Sequence, residues 1–268
     1  KMTVLTRIAI ATLTLPAALL LGCGGGTHDH EDHNGTADTM NAMVQEGGGL
    51  MKMGGKIFSI PSPVETAMLI RRLGMSYQKD LPLPVDKAGA LTTKMARSLA
   101  LGMYGADMAY VTMFKDGQKA LTTLQAIEKL GSSLELSNAF DRSLIERYKS
   151  NLNSEDSLLR MSGQAFRAAD RYLKNNDRND VSALVLAGGW IESMYLTLSN
   201  GPSEDQNLAD RVGEQRRTLN DLIALIEQSD KDKACGSLVT RLKELQTDFN
   251  GITSTYTFEK PVTDVATK

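Results

Sequence analysis

The chain has 268 residues, with 30 Lys and Arg against 32 Asp and Glu, for a formal net charge of −2. Because proteins that bind nucleic acid neutralise phosphates with clustered Lys and Arg, this balance argues against a nucleic-acid partner. Aromatic residues are scarce at 5% while Ala, Leu and Met are plentiful, which favours helices over sheets. The length is sufficient for a large core.

A short apolar run near the N-terminus is typical of a secretory leader. Residues 8–21 are largely apolar and follow a basic start, and they are too few to cross a bilayer comfortably. The run ends in Leu20-Leu21-Gly22-Cys23, which resembles the lipobox of bacterial lipoproteins. The resemblance implies cleavage of a signal peptide over residues 1–22 and acylation of Cys23, for example with palmitate. The alternative is an ordinary signal peptide or a short anchor helix.

The residues after Cys23 bear on location. Gly24 follows the cysteine. In the lipoproteins that this motif resembles, Asp at this position is associated with retention at the inner membrane. We therefore expect attachment to the outer membrane through the N-terminal lipid. Lipoproteins exported to the surface are similar to one another in having an acidic cluster soon after the cysteine. Here three glycines, Thr27 and His28 lie between Cys23 and the first acidic residue, Asp29, so both the periplasmic face and the surface face are left open. The mature chain would carry 28 basic and 32 acidic side chains, a net charge of −4.

Residues 23–56 have the composition of a flexible tether, rich in Gly, Asp, Asn and Thr. This segment contains the three histidines, His28, His30 and His33, which alternate with acidic residues, and four methionines follow. Imidazole suits Zn²⁺ or Cu²⁺ and thioethers suit Cu⁺, so weak copper or zinc binding is one interpretation. A polar linker that binds no metal is the other.

The absence of histidine after His33 restricts the chemistry of the remaining chain. A Ser-His-Asp triad, a Cys-His pair and a His-liganded zinc site all need an imidazole in the body of the protein. Cys235 is the only cysteine besides Cys23, so an acylated Cys23 leaves it without a disulfide partner. Carboxylates, Lys, Tyr and Cys235 are the groups that remain for catalysis.

The body is predicted over residues 57–258, and a disordered tail over residues 259–268. Its first helix has a capping box in Ser62 and Glu65, with Pro63 at the first helical position. Two prolines predict an extended segment over residues 81–84. Apolar periodicity and turn residues predict helices over residues 64–73, 86–114, 118–130, 137–152, 154–173, 180–198, 204–228 and 233–249. The prediction is an all-α fold, an irregular bundle of about seven to eight helices.

Two of these helices are apolar around most of their circumference, and each carries one carboxylate, Asp107 or Glu192. Tyr104 precedes Asp107 by three residues, Tyr195 follows Glu192 by three, and Trp190 lies nearby. One interpretation places all five side chains around a ligand pocket between the helices. The other is a satisfied polar cluster in a packed core.

The same two helices contain glycines, among them Gly102, Gly105, Gly188 and Gly189. A glycine within a helix costs about 1 kcal/mol relative to alanine, so a compensating reason is expected. Close approach of the two helices is one such reason, and space for a ligand is the other.

Residues 104–110 and 187–195, with sequences YGADMAY and AGGWIESMY, resemble a family of uncharacterised α-helical lipoproteins common in Bacteroidetes. The likeness extends from about residue 58 to residue 198. It implies a cell-envelope location and no assigned activity.

Together these features predict a non-catalytic, lipid-anchored envelope protein that acts by binding, first as an accessory subunit of an envelope complex. The amphipathic helix over residues 204–228 is a candidate partner surface, unless it lies across the core. A carrier of a small ligand or of copper or zinc is the alternative, and it requires a cavity near Trp190. A hydrolase that uses Asp107 and Glu192 as paired carboxylates ranks below both.

Overall fold

The computed structural model describes residues 50–53, 56–137, 142–151, 155–200 and 206–252. Cys23 and the predicted signal peptide lie outside the described residues. So do His28, His30 and His33, the tether before Leu50, and the predicted tail.

The described residues form nine α-helices. They are α1 (Pro63–Arg72), α2 (Lys94–Met113), α3 (Gly117–Ser133), α4 (Arg142–Ser150), α5 (Glu155–Asn175), α6 (Asn179–Asn200), α7 (Gln206–Gly213), α8 (Gln215–Ser229) and α9 (Gly236–Asn250). The prediction of an all-α, irregular helical bundle is confirmed. The ninth helix arises because the predicted helix over residues 204–228 is divided at Glu214, next to Gly213, into α7 and α8.

A small antiparallel hairpin precedes the bundle and was not predicted. Its strands are β1 (Leu50–Met53) and β2 (Lys56–Ser59), with Met53 opposite Lys56. The two residues between the strands are both glycine, a pair that is typical of two-residue hairpin loops. β1 lies within the segment predicted as tether, and β2 contacts α8.

The predicted capping box of α1 is confirmed. The Oγ atom of Ser62 accepts a hydrogen bond from the backbone N–H of Glu65 at 3.3 Å, and the Oε2 atom of Glu65 accepts one from the N–H of Ser62 at 2.6 Å. Two of the N–H groups that a helix leaves unpaired at its start are thereby satisfied. This arrangement fixes the position of the Glu65 carboxylate relative to the helix.

Other predicted boundaries are wrong, among them the start of α2, the end of α3 and the start of α9, which begins at Gly236 and not at residue 233. The helix predicted over residues 86–114 is a 3₁₀-helix, Val85–Ala90, followed by α2, which begins after Thr93 because the Thr93 side chain accepts from the N–H of Ala96 at 3.1 Å. The helix predicted over residues 118–130, before Gly131, continues through that glycine to Ser133. The chain turns instead at Glu135, which has a φ of 61°.

Helices α2 and α6 form the centre of the bundle and run side by side in the same direction. Lys94, in the first turn of α2, pairs with Asp180, in the first turn of α6, at 2.6 Å. Towards the other end, the hydroxyl of Tyr110 accepts a hydrogen bond from the side-chain amide of Asn200 at 2.6 Å. Both helices are buried over most of their length, as their apolar circumference predicted.

Glycines allow the backbones of these two helices to touch. A Cβ atom on Gly102 would lie 1.9 Å from the carbonyl oxygen of Val185, and one on Gly188 would lie 2.0 Å from that of Leu99. No side chain fits at either position. Close helix approach therefore accounts for Gly102 and Gly188, and space for a ligand does not.

Among the described helices, α6 is the one long and apolar enough to span a membrane by length and composition. In this structure 83% of its most apolar window is buried inside the bundle. The apolar surface of α6 is thus in contact with protein.

Candidate functional site

Tyr104 and Asp107 bind the backbone of the segment between α1 and α2. The hydroxyl of Tyr104 donates to the carbonyl oxygen of Pro84 at 2.8 Å, and the Oδ2 atom of Asp107 accepts from the N–H of Leu83 at 2.9 Å. Both side chains are buried. Because this Pro-containing segment is extended and is not paired with a strand, its buried polar groups need partners from side chains. These contacts support the interpretation of a polar cluster in a packed core for Tyr104 and for the Oδ2 atom of Asp107.

Tyr110 continues this series at the same three-residue spacing. Its hydroxyl accepts from the backbone N–H of Gln78 at 2.9 Å, in addition to the bond from Asn200. Its ring packs against Tyr77 and Phe114, with centroid distances of 5.5 and 5.0 Å. Burial raises the pKa of Tyr110. Tyr110 was not among the predicted site residues, although its spacing from Tyr104 and Asp107 was a usable signal.

The hydroxyl of Tyr104 provides a test of this anchoring. Replacing Tyr104 by phenylalanine should lower the free energy of unfolding by about 1 kcal/mol, because the Pro84 carbonyl loses its donor. Urea denaturation followed by circular dichroism measures the change. Tyr172→Phe, at a partly exposed position on α5, is the matched control and should have little effect. Equal midpoints for both variants would contradict the anchoring role.

The three predicted residues of α6 lie in different surroundings. Glu192 is fully buried, whereas Tyr195 is partly exposed. The indole Nε1–H of Trp190 donates to the Oε1 atom of Gln215 at 2.6 Å and so links α6 to α8. Residues two apart on a helix point to different sides, so Trp190 and Glu192 do not share a face.

Trp190 lines a groove of about 80 Å³ between α1, α6 and α8. This volume is well below the roughly 300 Å³ at which pockets for drug-sized ligands begin, so the groove suits a small group. Its walls consist of Pro61, Glu65, Thr66, Leu69, Trp190, Ser193, Met194, Thr197 and Gln215. Trp190 is the one member of the five predicted site residues in this lining.

The α6 wall of the groove follows helical spacing. Trp190, Ser193, Met194 and Thr197 recur at intervals of three and four residues and therefore form one stripe along the helix. The hydroxyl of Thr197 donates to the backbone carbonyl of Ser193 at 2.8 Å. The hydroxyl oxygen of Thr197 therefore keeps its lone pairs as acceptors. This stripe was not predicted, although it begins at Trp190 and follows from helical spacing.

Glu65 is the one charged residue among the described residues that line the groove. Burial raises the pKa of its carboxyl group, and the hydrogen bonds with Ser62 partly oppose this rise. Within the described part of the chain, no Lys or Arg forms an ion pair with Glu65. Its role in the capping box was predicted, but its place in the groove was not.

Two potential catalytic arrangements are disfavoured by burial. Asp107 and Glu192 are both fully buried, whereas a hydrolase needs its acid and base in contact with substrate. Burial, together with the nearby carboxylate of Asp230, raises the pKa of the Cys235 thiol to about 11, so the thiol is protonated at neutral pH. A protonated, buried thiol is a poor nucleophile.

The raised pKa of Cys235 predicts a loss of stability in alkali. Between pH 9 and 11 the thiol ionises in the unfolded chain but not in the folded one, so the free energy of unfolding should fall as the pH rises through this range. Cys235→Ala should show a shallower fall, measured by urea denaturation at a series of pH values. Parallel slopes for the two proteins would contradict this prediction. The comparison of slopes removes the contribution of tyrosines, several of which also have raised pKa values.

No family model matches this sequence, and comparison with curated proteins and with solved structures gives no significant match. In the part of the chain that the structure describes, no group of three or more His, Cys, Asp or Glu side chains is placed to hold a metal ion. The predicted copper or zinc ligands, His28, His30 and His33, lie outside that part.

The predicted partner surface on α8 is covered within the protein. Its apolar side chains are buried against α6 and α9: Leu219, Leu222, Ile223, Leu225 and Ile226. α8 thus lies across the core, which was the second interpretation of this amphipathic pattern. The buried face is not available to another protein.

Proposed function

We propose that the protein is a lipid-anchored component of the bacterial cell envelope that acts by binding and not by catalysis. The sequence Leu20-Leu21-Gly22-Cys23 after an apolar run supports the anchor, and the resemblance to helical lipoproteins of Bacteroidetes supports the location. Gly24 supports the outer membrane over the inner one.

The groove beside Trp190 is the observation that favours binding of a small ligand. A carrier needs a cavity at this position, and the groove combines apolar walls with a few polar groups, as small-molecule sites generally do. The accessory-subunit hypothesis is the second candidate. The face of α8 that would have carried it is buried, so such a subunit would have to use another surface.

Native mass spectrometry of the full lipoprotein, released in mild detergent from its own envelope, tests this proposal. An acylated chain that carries a stoichiometric small mass would support a carrier, whereas a discrete complex with another protein would support an accessory subunit. Replacing Cys23 by serine should remove the acyl mass. A chain that retains its leader and carries no acyl group would overturn the anchoring proposal.

The same measurement tests the metal alternative. A copper or zinc mass that disappears when His28, His30 and His33 are all replaced by alanine would assign the metal to the tether. A metal mass that persists in this variant would overturn that assignment.

A further inference from the structure

The groove has five polar side chains, Glu65, Thr66, Ser193, Thr197 and Gln215, and Glu65 is the charged one among them. Because the Oε1 atom of Gln215 already accepts from Trp190, the acceptors left for a ligand are the carboxylate and the hydroxyl oxygens. Glu65 contributes a carboxylate, of which one oxygen is used by the N–H of Ser62. The hydroxyl oxygens of Ser193 and Thr197 lie on the same α6 stripe. A carboxylate offers about four lone-pair sites, so Glu65 has capacity for further donors.

The apolar part of the lining also restricts which ligand group the groove can bind. Leu69, Met194 and Pro61 provide aliphatic and thioether surface, and Trp190 provides an aromatic ring. Aromatic rings attract cations through their quadrupole, most strongly in the case of tryptophan. A ligand group that fits both sets of contacts has a positively charged donor at one end and a short hydrocarbon stem.

We propose that this groove binds the primary ammonium group of a small alkylamine, with Glu65 as its counter-ion and Trp190 beside it. This inference deepens the proposed function, because it names the ligand class of the same site. An ammonium group has three donors, which the carboxylate and the two hydroxyl oxygens can accept. The stem of a few methylenes matches the small volume of the groove.

The charge of Glu65 favours an ammonium group over a neutral or negative one. The carboxylate is partly removed from water and has no ion-pair partner among the described residues. A bound cation would stabilise its negative charge in place of the lost hydration. An anion would be repelled. A quaternary ammonium ion carries the charge but no donor, so it would leave the acceptors of the groove unpaired.

Trp190 provides the readout, since it is the only tryptophan in the sequence. The full-length protein, purified in detergent, is titrated with n-butylamine at neutral pH while its intrinsic fluorescence is recorded. We expect a saturable change with a dissociation constant in the millimolar range. n-Butanol and tetramethylammonium, which lack the charge and the donors respectively, should produce no saturable change.

Glu65→Gln is the decisive variant. Glutamine can replace glutamate in a capping box, so α1 should remain intact while the charge is lost. We expect n-butylamine to bind this variant about tenfold more weakly or worse. Glu244→Gln, at an exposed position on α9, is the matched control and should bind as the parent does.

Several results would overturn the inference. They are the absence of a saturable change with n-butylamine, equal binding of n-butanol or tetramethylammonium, and equal affinity of the Glu65→Gln variant. A circular dichroism spectrum identical to that of the parent shows that the variant is folded. None of these results concerns acylation of Cys23 or association with other proteins. The proposal of a lipid-anchored envelope protein is therefore tested separately, by the mass spectrometry.

Discussion

Replacing Gly102 by alanine is expected to lower the free energy of unfolding by about 2–4 kcal/mol. The new methyl group would lie 1.9 Å from the carbonyl oxygen of Val185 and 2.7 Å from the backbone nitrogen of Gly189. Both are backbone atoms, so neither can rotate away, and α2 and α6 would have to separate along their contact. Urea denaturation followed by circular dichroism measures the loss.

Gly163 provides the control for this substitution. It also lies inside a helix, α5, but its nearest neighbour is the flexible guanidinium of Arg167, 3.4 Å from an added Cβ atom. Gly163→Ala should therefore be neutral or should raise stability by up to about 1 kcal/mol, as expected from helix propensity. Equal effects of the two substitutions would contradict the close backbone contact between α2 and α6.

Replacing Asp107 by alanine is the second substitution with a large expected effect, a loss of about 1–3 kcal/mol. The buried N–H of Leu83 would lose its acceptor at 2.9 Å, and the segment before the 3₁₀-helix would lose an anchor to α2. Chemical denaturation gives the total loss. Hydrogen exchange of the Leu83 amide should be faster in the variant than in the parent. Exchange in α9, which lies elsewhere in the bundle, should increase less.

Asp107→Asn separates a structural role from a ligand-binding role. Asparagine keeps a side-chain carbonyl that can accept from Leu83, so this variant should lose less stability than alanine does. Binding of n-butylamine to the groove should be unchanged in Asp107→Asn, because Asp107 does not line the groove. Loss of amine binding without loss of stability would instead place Asp107 in the binding site.

Much of the fold was predictable because helices are encoded by local periodicity. The capping box at Ser62 and Glu65, the extended prolines before α2 and the burial of α6 all follow from short sequence patterns. The errors occur where local signals compete. Thr93 caps α2 within a stretch that was predicted as one continuous helix, and Gly131 lies buried inside α3 despite its low helix propensity.

The candidate site was less predictable than the fold. Its walls come from three helices that are distant in the sequence, and only Trp190 was identified beforehand. Asp107 and Glu192 attracted attention because an acid in an apolar helix is unusual. Their chemical type, however, does not distinguish an anchor for a neighbouring segment from a ligand contact, and that distinction depends on which backbone groups lie nearby.

The parallel arrangement of α2 and α6 has a consequence for the order in which the chain folds. The hydrogen bond between Tyr110 and Asn200 joins residues 90 positions apart, so the central contact cannot form by zipping of adjacent helices. A chain that emerges from its N-terminus presents the apolar surface of α2 well before α6 becomes available to cover it. Until residue 200 has been synthesised, the apolar surface of α2 should therefore depend on other contacts, such as those of a chaperone, to keep it from water.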